Sequence, residues 1–206
     1  MRRFLHIARL FGFVVAVSLL SSSGGNAGET GSDSPDWLVP SLHSAGVLAV
    51  GRIGITILWP DAFNDVDPER NWDTLKTSWS SLPQFDATRD FFEWDGNAWS
   101  QNLIGHGLMG SEFYLRYRET RHGPYVALAM SFAWSFLWEY GVEGWFVQPS
   151  GIDLLWTPIG GMLIGEGRYQ LYLEIRSMKP SRTRHTLLYL IDPLGQLERD
   201  LMGLEE

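Results

Sequence analysis

At 206 residues, with 45% hydrophobic side chains, the chain is long enough for one domain with a full core. Its net charge of −8 argues against nucleic acid as a partner and against simple adhesion to anionic lipid. The absence of Cys removes both a disulfide and a lipoprotein acyl site, while ten Trp point to surfaces where an apolar body meets a wet edge.

The first segment reads as an export signal. Arg2 and Arg3 precede the largely apolar run Phe4 to Leu20, and a small-residue exit follows, with Gly25 and Ala27 at the −3 and −1 positions of a cleavage site. His6 and Arg9 keep the continuous apolar run below the length of a membrane span. A signal peptide over 1–27 implies the periplasm, with the mature chain peripheral to, or embedded in, the outer or inner membrane. Its loss removes three Arg and no acid, so the net charge moves from −8 to −11. Residues 28–40 form an expected disordered linker.

A helical domain is predicted over 41–176. Residues 41–59 read as a helix ended by Pro60, although the β-branched residues Ile53, Ile55, Thr56 and Ile57 leave a strand open. Residues 61–97 are polar and punctuated by Trp, which predicts a long Trp-rich loop with a short helix near Asp73–Ser80. Asp65-Val66-Asp67 is like the start of a calcium loop but lacks the turn glycine and the closing Glu, so it reads as solvated. Three further helices are expected at 97–121, 124–147 and 151–176, broken at Gly123-Pro124 and at Pro149-Ser150-Gly151. Such short links make neighbouring helices antiparallel. Thr157-Pro158 offers a point at which the third helix could kink or restart. The C-terminal extension, 177–206, reads as a basic loop, a short strand or helical turn over 186–191, and an amphipathic helix at 194–204. The fold class is mainly α, a compact bundle of about four or five helices.

Each of the three central helices carries polar or small residues at four-residue spacing on an apolar background. The sets are Asn102, His106, Gly110, Tyr114 and Arg118; Ser131, Ser135, Glu139 and Glu143; and Asp153, Thr157, Gly161 and Gly165. Four residues advance a helix by about 40° past a full turn, so each set lies on one drifting face. A surface helix usually shows the reverse pattern. These helices are therefore expected to meet through polar faces and present apolar sides outward.

His106, between two glycines, could act as a base or metal ligand, and Glu139 and Glu143 are costly to bury unless paired, protonated or metal-bound. These three are the candidate catalytic residues. Asn102, Tyr114, Arg118 and Asp153 are the candidate binding residues. No cofactor is required by the sequence, although His106, Glu139, Glu143 and Asp153 could form a mixed N/O site for a divalent metal. Asp153 also has a capping role in Ser150-Gly-Ile-Asp153, and Gly161 and Gly165 have a packing role.

The order Trp94-Asp95-Gly96-Asn97, Asn102-x-x-x-His106-x-x-x-Gly110, Ser135-x-x-Trp138-Glu139-Tyr140-x-x-Glu143, Ser150-x-x-Asp153-Leu154 resembles an uncharacterised bacterial family, a domain of unknown function. Its members are exported and sometimes carry the domain ahead of an outer-membrane β-barrel. The pattern is also similar to YfiM-type periplasmic lipoproteins and, more distantly, to VanZ-like membrane proteins. The resemblance covers residues 90–172 and implies a fold and a compartment but no reaction. Two positions depart from it: Gly107 stands where proline is expected, and Thr157-Pro158 stands where VanZ-like sequences have Asn.

Taken together, the sequence implies a cell-envelope helical module with a buried polar network, structural or in contact with a membrane lipid face or an envelope membrane protein. The alternative is a lipid- or envelope-modifying hydrolase, acid–base or metal-dependent, using His106, Glu139 and Glu143.

Overall fold

A computed structural model describes residues 34–58 and 67–203. The signal peptide over 1–27, the start of the expected linker, and Asp65 of the calcium-like run lie outside the described residues. Among the described residues the chain is mainly helical, with seven α-helices and no strand. This exceeds the expected four or five, because the Trp-rich segment and the C-terminal extension both contain complete helices.

Helix α1 spans Leu38–Leu58 and begins inside the segment expected to be linker, with Pro40 tolerated in its first turn. Helix α2, Pro68–Ser80, starts earlier than expected because Asp67 caps it, accepting from the Glu69 and Arg70 amides. A helical stretch then runs through a wide π turn, Gln101–His106, into α3, Gly107–Glu119. Helix α4, Pro124–Phe136, likewise ends in a π turn, Leu137–Val142, followed by a short 3₁₀ turn, Glu143–Trp145. Helix α5, Gly151–Arg176, passes through Pro158 without a break. Of the two readings at 186–191, a short strand or a helical turn, the helical one holds, and the helix, α6, Arg182–Ile191, capped by Ser181, begins inside the segment expected to be a basic loop. Asp192 accepts from the Gly195 amide and so starts α7, Pro193–Met202.

Helices α3 and α5 run side by side in the same direction, and α4 returns antiparallel, packed against both. Their crossing is as close as two backbones can be. A Cβ placed on Gly110 would lie 1.8 Å from the Thr157 carbonyl oxygen, and one on Gly161 would lie 2.4 Å from the Gly110 carbonyl carbon. One turn further along α5, Gly165 accommodates the Tyr114 ring. Helix α1 closes one side of the bundle, where Leu48, Phe113 and Trp138 form a core cluster. A second cluster joins Tyr114 and Tyr117 to Ala127, and a third joins Tyr172 and Ile175 to Leu188.

The C-terminal helices are locked to the bundle by charge. Arg116 pairs with Glu119 and Glu198, and Arg199 pairs with Glu119 and Asp192. His43 of α1 lies between Glu112, at 3.2 Å, and Glu198, at 2.7 Å. Burial disfavours the charged ring, and Arg116 opposes it further. The hydrogen bonds to the two carboxylates outweigh both and raise the His43 pKa to about 9. A raised folded-state pKa gives stability that is complete below pH 6.5 and lost as pH rises through about 9.

Melting curves recorded from pH 6 to 9.5 should show stability falling, and His43→Gln should remove the share due to His43, about 3 kcal/mol, leaving the fall due to the buried acids. Gly161→Ala should cost about 2 kcal/mol by forcing α3 and α5 apart. Gly167→Ala, where a Cβ meets nothing within 4 Å, should instead stabilise α5 by roughly 0.5–1 kcal/mol in denaturant titrations.

Candidate functional site

The three stripes do meet, but unequally. His106, Glu139 and Asp153 come together with one ligating atom from each, all within 4.8 Å of one another. The His106 Nε2 is 3.4 Å from Asp153 Oδ2, and its Nδ1 is 3.1 Å from Thr157 Oγ1. Glu139 Oε2 accepts from the Ser150 amide at 2.7 Å. Both acids are almost wholly buried, each about 1% exposed.

Local sequence explains each placement. Ser150 caps α5, its Oγ accepting from the Asp153 amide, which puts Asp153 in the first turn where the positive helix end favours an anion. Ser135 and Ser131 fasten α4 to its neighbours by donating to the carbonyls of Asp153 and Gly110. His106 and Glu139 both sit in π turns, wide helical turns that recur at functional sites.

Asp95 completes the cluster and was not among the sequence candidates. Gln84 donates to the Pro149 carbonyl and accepts from Gly151, so the segment before α3 is clipped across the start of α5. Gly96, at φ +90°, then turns the chain. Asn102 Nδ2 holds the turn by donating to the Phe92 carbonyl and to Asp95 Oδ1. Asp95-Gly96-Asn97 is a legible turn signal, but nothing in the one-dimensional pattern aims it at the stripes.

Burial dominates the electrostatics. It pushes the carboxyls of Glu139 and Asp153 well up from the usual range, and the neighbouring acids add to this. It pushes Glu143 up to about 7, partly offset by the charge of Arg52. The same burial drives His106 down to about 4, against the pull of Asp95. At Asp95 burial acts upward too, but hydrogen bonds from Asn97, Asn102 and Ser150 win and hold it low.

Not every candidate joins the centre. Glu143 is buried nearby but stands outside the three-residue set. Tyr114 and Arg118 lie two and three turns along α3 from His106 and both bond to Glu166 of α5, at 2.8 and 2.9 Å. Two of the four candidate binding residues, Tyr114 and Arg118, are therefore set apart from Asn102 and Asp153. Glu166 is the nearer acid at its level of the parallel pair, and Tyr169 lies under the guanidinium.

Fold and site together define a helical bundle around a buried carboxylate–histidine centre. The chain belongs to the DUF3943 family, a domain of unknown function, whose family model matches residues 91–194. The match runs past the 172 expected from the sequence and takes in α6. No curated protein and no solved structure matches the chain.

Asn102→Ala should leave the Phe92 carbonyl without its side-chain donor, remove one of the donors to Asp95 and cost about 2 kcal/mol. Amide hydrogen exchange should then rise first in residues 84–98.

Proposed function

We propose that this protein is an exported module of the bacterial cell envelope that rests against a lipid face through its apolar flank, with the buried polar centre fixing the packing of its helices. One observation carries the reading: the outer faces of α4 and α5 are apolar while their inward faces carry polar groups. Phe132 of α4 and Leu155, Ile159 and Leu163 of α5 are about half exposed or more, while Ser131, Ser135, Asp153 and Thr157 on the opposite faces are sealed. Helix α1 is long and apolar enough to cross a membrane, with only 17% of its apolar window buried. Its His43 face is nevertheless tied to α3 and α7, which supports contact along the bundle's side rather than a separate span. Exposed apolar side chains gathered on one flank mark a candidate interaction site.

Placement in the periplasm rests on the features of residues 1–27, and kinship with barrel-associated and YfiM-type envelope proteins rests on the quoted motifs. The lipid contact is apolar rather than ionic, since the net charge of −8 disfavours an anionic surface.

The test is flotation with zwitterionic vesicles. The full chain should float, high salt should not release it, and Phe132→Glu with Leu163→Glu should abolish flotation while leaving the circular dichroism spectrum intact. A monomer that stays soluble without detergent and never floats would overturn the reading. Binding only to membranes that retain their native proteins would overturn it in favour of a membrane-protein partner.

A further inference from the structure

We infer that His106, Glu139 and Asp153 form a binding site for one divalent cation of the zinc and manganese class. Three helical elements deliver the donors: the turn before α3, the turn after α4, and the first turn of α5. Ligands about 2.1 Å from a tetrahedral ion stand about 3.4 Å apart. The His106 Nε2 to Asp153 Oδ2 separation is 3.4 Å, and the full set lies within 4.8 Å, so small side-chain adjustments close the shell.

The oxygens left over are the independent observation. Glu139 Oε1 and both carboxyl oxygens of Asp153 are buried with no hydrogen-bond partner. Asp95 stands beside Asp153 and brings a further carboxyl group to the cluster. An unsatisfied buried carboxylate costs several kcal/mol, which a cation, a proton or a buried water offsets.

Supporting contacts are those of a built metal centre. The neutral ring tautomer that donates from Nδ1 to Thr157 Oγ1 directs the Nε2 lone pair at the cluster. The Ser150 amide fixes the second oxygen of Glu139, leaving Oε1 to ligate. One imidazole with carboxylates suits zinc, manganese, iron or cobalt, and the nitrogen argues against calcium.

The test uses the full chain in detergent, stripped with a chelator and titrated with Zn²⁺, Mn²⁺ and Co²⁺. One ion per chain should bind, the melting temperature should rise, and Co²⁺ should give a visible d–d spectrum. Glu139→Gln and Asp153→Asn should remove stoichiometric binding and the metal-induced rise. Should either fail to fold, Thr157→Val serves instead and should weaken binding roughly 10- to 100-fold. Wild-type protein that neither binds nor is stabilised by these ions overturns the inference. So does stoichiometric binding that survives all of these substitutions. Flotation is read separately, so loss of metal binding leaves the lipid contact standing or falling on its own result.

Discussion

The close crossing of α3 and α5 is the constraint on which the rest of the molecule depends. Gly110 and Gly161 let the two backbones touch, and because the helices run in the same direction their four-residue stripes stay in step. His106 falls opposite Thr157 and Asp153, Tyr114 opposite Gly165 and Glu166, and Arg118 opposite Glu166. A side chain at either glycine would open the crossing and disturb every pair at once. Polar groups in this bundle meet because backbones meet first.

The two ends of the bundle handle buried charge in different ways. At the C-terminal end Glu112, Glu119, Asp192 and Glu198 each face His43 or an arginine. At the other end, Glu139 and Asp153 keep buried oxygens that no donor reaches. One chain therefore contains both an ion-paired network, in which Glu119 Oε1 and Arg116 Nε are also left over, and a cluster in which the carboxylates of Glu139 and Asp153 face other acids. Charge pairing accounts for the first. It does not account for the second, where buried carboxyl oxygens of Glu139 and Asp153 find no donor.

Much of this was legible in the sequence because polar residues four apart in an apolar background share one helix face, and that face must find a polar partner. Helix α5 falls at its expected bounds, and its convergence with His106 follows from the stripes. Three things were not legible. The π turns at Gln101–His106 and Leu137–Val142 each add a residue per turn, and no residue type specifies them. Asp95 reaches the centre only through the backbone contacts of Gln84 with Pro149 and Gly151, a long-range pairing without a periodic signal. The helicity of 182–191 was obscured because β-branched and aromatic residues there suggest a strand, while packing of Leu188 on Tyr172 and Ile175 decides for helix.

The apolar exterior and the acidic interior bear on one another. In a water-soluble bundle, solvent at the outer faces of α4 and α5 would lie one helix diameter from the buried carboxyls and would soften their mutual repulsion. Here the outer faces carry Phe132, Leu155, Ile159 and Leu163. Lipid against that flank would lower the dielectric on the second side as well, and unit charges a few ångströms apart interact more strongly as water is withdrawn. The closer the bundle sits to a membrane, the less its central acids can rely on distant solvent, and the more their charge must be balanced locally by a proton or a cation.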